Sequence, residues 1–182
     1  MSDNPSSAGN QQERSISVDW VVGFVDGEGC FSISFVRQGG GINRAGYRLG
    51  WQVDARFAVT QGAKSGDVLF ALRDFFGVGG VYRNRRHDNH REDLLRYDVG
   101  KIGELVSVIV PFFETNRLRT AKRHDFEAFA KCVELMDKRR HLHPEGLMQV
   151  VELAQSMNHQ KPRTHVIEIL RGHTPNIPGL LG

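Results

Sequence analysis

The chain is expected to take an α+β fold in which an antiparallel sheet lies under helices, in the order αββαββα with extra helices at the C-terminal end. Three observations lead there. Residues 30–37 and 47–61 alternate apolar and polar side chains over strand lengths. Residues 65–76 carry apolar side chains at helical spacing and separate these strands from a second strand pair. After residue 103 the helical spacing returns three times.

Size and composition allow one folding unit. A chain of 182 residues with 40% hydrophobic and 25% charged residues is ordinary for a single domain. The opening, residues 1–15, is rich in Ser, Gly, Asn and Gln and has little to bury, so it reads as a polar arm. The domain is expected over residues 16–157, and residues 158–182, with Pro162, Pro175 and Pro178, form a tail without a legible element. No internal repeat is present in the sequence. The net charge of +3 and the pI near 9.1 suit a polyanionic partner without naming one. Cys30 and Cys132 show no spacing for a disulfide framework or a zinc site, which fits a reducing compartment. No apolar run nears the roughly 20 residues of a membrane span, and the start lacks a signal-peptide pattern. An intracellular protein, cytoplasmic or organellar and neither secreted nor membrane-bound, is therefore expected.

The elements follow in order. Residues 17–27, SVDWVVGFVDG, begin with a Ser/Asp cap and turn nearly all apolar, a short helix whose end is set by Gly27 and Gly29. In residues 30–37 the apolar Phe31, Ile33 and Phe35 alternate with Ser32 and Ser34. After the glycine turn at 39–41, Trp51, Val53, Ala55, Phe57 and Val59 alternate with Arg48, Gln52, Asp54 and Arg56. Helix 65–76 places Val68, Leu69, Leu72, Phe75 and Phe76 on one side, and Gly77 stops it. Residues 80–86 and 94–100 read as strands joined by the polar HDNHRED. Residues 103–113, 120–136 and 144–157 read as helices, with Thr120 and Pro144 as starts.

The first helix and its exit carry the chemistry. Taken alone, residues 21–29 could be a buried amphipathic helix ending in a glycine turn, with Glu28 solvated. The segment Val21-Val22-Gly23-Phe24-Val25-Asp26-Gly27-Glu28-Gly29 also resembles the LAGLIDADG signature, with Glu in place of the second Asp. The alternating strand after it, the FAVTQ run of residues 57–61, the GVGGVY turn of 77–82 and the RYDV strand of 96–99 resemble further landmarks of that endonuclease family, in family order. The resemblance spans roughly residues 19–129 and implies a single-motif homing endonuclease.

That resemblance assigns roles. Gly23 and Gly27, four residues apart and hence on one helical face, together with Val22, would let a second helix approach. With one motif per chain, the second helix would come from a second subunit across a two-fold axis. Two Glu28 carboxylates meeting there would need cations, and hard oxygens prefer Mg2+. The carbonyl of Gly27 resembles a further metal ligand, and Gln61 the polar group that positions water. In relatives a lysine acts near the scissile phosphate. Here the stretch reads Thr120-Ala121-Lys122-Arg123, leaving Lys122, a neighbouring arginine, or weakened activity as the alternatives.

With its apolar side under the helices, the sheet would turn Ser32, Ser34, Gln38, Arg48, Gln52, Asp54, Arg56, Tyr82, Asn84, Arg86, Arg96 and Asp98 outward. Such a face can enter the major groove, where each base pair shows a distinct pattern. The basic stretches 83–91 and 138–140 read as phosphate contacts or as solvated surface. His87 with His90, and His141 with His143, have no companion ligands in zinc spacing and are read as surface groups. The expected function is a metal-dependent double-strand cut in a long, pseudo-palindromic DNA site. An RNA maturase holding intron RNA, and a non-cleaving DNA-binding regulator, are the alternatives.

Overall fold

Ser17 opens the first helix: its hydroxyl accepts the amide of Trp20 at 3.2 Å, and α1 runs Val18–Glu28. The computed structural model describes residues 16–37, 49–84 and 93–157. The sequence-expected arm 1–15 and tail 158–182 lie outside the described residues, as do Gln38, Arg48 and Arg86. Strand β1, Gly29–Arg37, leaves α1 directly and pairs antiparallel with β2, Trp51–Gly62. Helix α2, Asp67–Phe76, leads to β3, Gly80–Asn84, and β4, Leu94–Val99. The sheet order is β1-β2-β4-β3, all antiparallel, so β2 and β4 are central.

The period-two pattern sets the register. Phe31 lies opposite Phe57, and Phe57 opposite Val99, all on the buried face. Phe31 stacks on Phe57 with ring centroids 5.2 Å apart and meets Phe113, Phe126 and Phe129 edge-on or tilted. Each such side chain contributes roughly 1.5–3 kcal/mol by leaving water. Val21 and Val25 of α1 add to the same core.

Two glycines matter to the chain's course. Gly77, at φ 69°, is the left-handed residue that closes α2, its amide donating to the Arg73 carbonyl at 2.8 Å. Gly29 is needed for closeness: a Cβ there would stand 2.5 Å from Val25 Cγ1 and 2.7 Å from the Val25 carbonyl oxygen. Gly27, expected to end the helix, lies inside it; the switch to extended backbone comes at Gly29.

The segment expected as one helix over 103–113 has three parts: α3, Ile102–Glu104, a π-helical turn, Leu105–Ile109, and α4, Val110–Thr115. Pro111 accounts for the break. It has no N–H, and its ring would strike the carbonyl one turn back in a tight α-helix, so the wider turn relieves it. Helix α5, Lys122–Asp137, begins two residues after the expected Thr120, whose hydroxyl accepts the Lys122 amide at 3.2 Å. Helix α6, Pro144–Ser156, packs on α5 through Leu147, Val150, Val151 and Ala154. No helix among the described residues is long and apolar enough to cross a membrane.

Candidate active site and nucleic-acid interface

The last turn of α1 meets the start of α5. Residues two apart on a helix point about 200° from one another, so Asp26 and Glu28 face opposite ways. Asp26 turns toward α5: its carboxylate accepts the Arg119 amide at 2.9 Å, the Thr120 amide at 3.1 Å and the Thr120 hydroxyl at 2.6 Å. Desolvation raises its pKa, but the Thr120 hydroxyl, those two amides and the Lys122 charge outweigh this and hold the carboxyl below the usual range. Glu28 is exposed. The sequence singled out Glu28 and left Asp26 without a task.

Lys122 reaches back across this junction. Its Nζ donates to the carbonyls of Val25 at 3.1 Å and Gly27 at 3.0 Å. These carbonyls stand at the C-terminal end of α1, where unpaired oxygens and the helix dipole attract a cation. Desolvation pulls the Lys122 pKa down, opposed by the carboxylates of Asp26, Glu28 and Asp125. Among the described residues of this stretch, Lys122 bonds the motif through its side chain and Arg119 through its backbone amide, whereas Arg123 pairs with Glu127 at 2.8 Å.

Gln61 belongs to the same end of the sheet. Gly29 is paired with Val59, so the neighbouring Glu28 lies beside the Thr60–Gln61 end of β2. Gln61 is half-buried and shares the parity of Phe57 and Val59, the helix side. Thr60 and Cys30, exposed and of the opposite parity, flank the site and were not singled out in the sequence.

The donor set fits a hard divalent cation in part. Glu28 offers an exposed carboxylate and Gly27 a carbonyl oxygen with one lone pair left beyond its bond to Lys122. Among the described residues, His, Cys, Asp and Glu form no group of three or more placed to hold a metal.

The outer face of the sheet is polar across its strands. Ser32 lies opposite Arg56, Ser34 opposite Asp54, Thr60 opposite Arg96 and Tyr82 opposite Arg96 from the other side. The Gln52 amide donates to the Asp54 carboxylate at 3.3 Å. Asn84 pairs with Leu94 at the end of β3. Asp98 departs from the expected outward array: at 9% exposure it lies beneath two arginines, with Oδ1 2.8 Å from Arg56 Nη1 and Oδ2 2.8 Å from Arg96 Nε.

On the far side of α1, Trp20, Gly23, Phe24 and Gly27 recur at helical spacing. Trp20 and Phe24 stack with centroids 4.7 Å apart, and a Cβ added at Gly23 or Gly27 would meet nothing within 4 Å. Val22 is half-buried beside this stripe.

A helix that ends in an acidic side chain and runs directly into the first strand of a four-stranded antiparallel sheet, with a polar outer face, defines an α+β class. The LAGLIDADG endonuclease profile matches residues 21–133, and the chain belongs to that family. It is 32% identical over 141 residues to "Probable intron-encoded endonuclease 3" of Neurospora crassa, a match covering 76% of this chain and 24% of the relative. Among solved structures, the homing endonuclease I-TnaI superposes with a TM-score of 0.73 at 35% identity, over 87% of this chain and 98% of that one. The I-SmaMI LAGLIDADG homing endonuclease bound to cleaved DNA gives 0.73 at 30% identity, over 86% and 48%; another I-SmaMI structure is of uncleaved DNA target with calcium ions. The chain thus spans about a quarter of its fungal relative, half of I-SmaMI and nearly all of I-TnaI.

Proposed function

We propose that this protein is a site-specific DNA endonuclease of the homing type, intron-encoded, acting as a homodimer that makes a double-strand cut in a long, pseudo-palindromic duplex. The observation that carries the reading is the junction of Glu28, Gly27 and Lys122 at one end of a sheet whose outer face is lined with polar side chains. Pairing of two α1 helices through Trp20, Val22, Gly23 and Gly27 would bring two Glu28 carboxylates together and join two sheets into one saddle. The saddle would lie in the major groove over about two turns of duplex. Base and backbone contacts are assigned to Ser32, Ser34, Gln52, Asp54, Arg56, Tyr82, Asn84 and Arg96, with Gln38, Arg48 and Arg86 proposed from sequence.

Glu28 and the Gly27 carbonyl would hold the divalent cation, Mg2+ in the cell. When bound, it supplies Lewis-acid stabilisation of charge developing on the phosphodiester oxygens. Lys122, already anchored on α1, brings a fixed positive charge to the phosphate without an entropic cost at the moment of reaction. Gln61 can donate to and accept from a water at the mouth of the site, orienting it for in-line attack. The water oxygen bonds to phosphorus and gives up a proton to solvent as the bond to the leaving sugar oxygen breaks and that oxygen takes one up; no side chain becomes covalently attached.

The test is cleavage selection from a randomised duplex library with Mg2+, using wild type and Glu28→Gln, followed by sequencing of cut ends. A long, near-palindromic site cut by wild type alone is expected, with loss of cutting on chelation of the metal. Equal cutting by both proteins removes Glu28 from the reaction; retention of duplex or intron RNA without any cutting replaces this reading with the regulator or the maturase.

A further inference from the structure

Asp98, Arg56, Arg96 and Tyr82 form a cluster that the chemistry at Glu28 does not use. They line a shallow concavity of about 390 Å³ on the outer face. The cluster is built on the two central strands: Asp98 is opposite Ala58 on β2, Arg96 opposite Thr60, and Tyr82 of β3 opposite Arg96. We propose, resting on the duplex-binding reading above, that Asp98 is a positioning residue that holds Arg56 and Arg96 as a fixed pair of guanine readers.

The geometry carries this in three steps. Each carboxylate oxygen of Asp98 lies 2.8 Å from one arginine, while the two arginine side chains stay 47% and 42% exposed. A nearly buried carboxylate is costly unless paired, so the two arginines and the aspartate hold one another, and the trio keeps one net positive charge at the surface. Arg56 donates to Asp98 through Nη1, whereas Arg96 meets it at Nε as a close charge contact; among the described residues this leaves Nε and Nη2 of Arg56 and the Nη1/Nη2 fork of Arg96 to donate. A two-donor edge matches the O6 and N7 acceptors of guanine in the major groove. A long arginine that is already ordered loses less side-chain freedom on binding than a free one.

Position separates this from backbone binding. In the order β1-β2-β4-β3 the arginines stand on the inner strands, which face the groove floor, whereas phosphates flank the groove at the sheet's edges. Tyr82, 63% exposed, walls the cluster on the β3 side.

The experiment is binding selection from a randomised duplex library in Ca2+, comparing wild type with Asp98→Asn, Arg56→Lys and Arg96→Lys. Wild type should prefer guanine at two positions per half-site by roughly 5- to 150-fold each, the equivalent of about 1–3 kcal/mol. Asp98→Asn should flatten both positions and leave the rest of the site intact, and each lysine variant should flatten one. Should Asp98→Asn fail to fold, the two lysine variants decide. An unchanged preference in Asp98→Asn, or lysine variants that keep the guanine preference or change affinity for all sequences uniformly, overturns the proposal. If wild type selects no sequence at all, the duplex-binding reading itself fails and takes this proposal with it.

Discussion

Two acidic residues of one short motif are assigned different work by helix geometry. Glu28 faces solvent, whereas Asp26 receives two amides and a hydroxyl from residues 119 and 120 and so fastens the entry of α5 to the exit of α1. Lys122 follows directly and reaches the same helix end. Replacing Asp26 with Ala should lower stability by roughly 1–2 kcal/mol, the range for losing a capping side chain. It should also slow cleavage more than it weakens DNA binding, because the anchor of Lys122 shifts. Urea unfolding and single-turnover rates on the selected site measure both. The importance of Glu28 was legible in the sequence because its helix, glycine turn and strand are contiguous. Asp26 was not, because its partners lie 93 and 94 residues away and nothing local signals the pairing.

At the scale of elements, periodicity located the strands and helices to within a few residues at their ends, the second strand beginning at Trp51 after a turn at 49–50 and not at 47, since one buried face fixes a strand's register but not its ends. The π-helical turn at Leu105–Ile109 was missed because its cause is backbone crowding by Pro111, which leaves no mark on apolar spacing. The outer face was legible as a set of polar residues, but its pairing was not: Arg56 and Asp98 are 42 residues apart and meet only through the β2–β4 register. The passage from α1 into β1 is the tightest joint near the site. Gly29→Ala would push a methyl to 2.5 Å from Val25 Cγ1, and overpacking of this kind costs roughly 1–3 kcal/mol. A lower thermal midpoint with reduced cutting is expected, and an unaltered melting curve would show that the joint relaxes without cost.

The described residues display a charged outer sheet, an apolar core beneath it and a helix stripe of Trp20, Gly23, Phe24 and Gly27 with open space where a Cβ would stand at either glycine. Gly23→Leu should loosen a helix pair held by that stripe, so sedimentation equilibrium is expected to give a dimer constant weakened by at least about tenfold, equivalent to roughly 1.4 kcal/mol. A dimer of undiminished strength would move the interface elsewhere. The motif occurs once in these 182 residues, and the second helix of the proposed pair lies outside them. Two Glu28 side chains are proposed to share a cation site at the dyad over DNA. Crystals of the protein on its selected duplex, grown with Mn2+ and measured at the manganese absorption edge, test it most directly. An anomalous peak within bonding distance of Glu28 from both protomers, beside a DNA phosphate, is the expected result; a peak remote from Glu28, or α1 helices that do not face one another, would contradict the account.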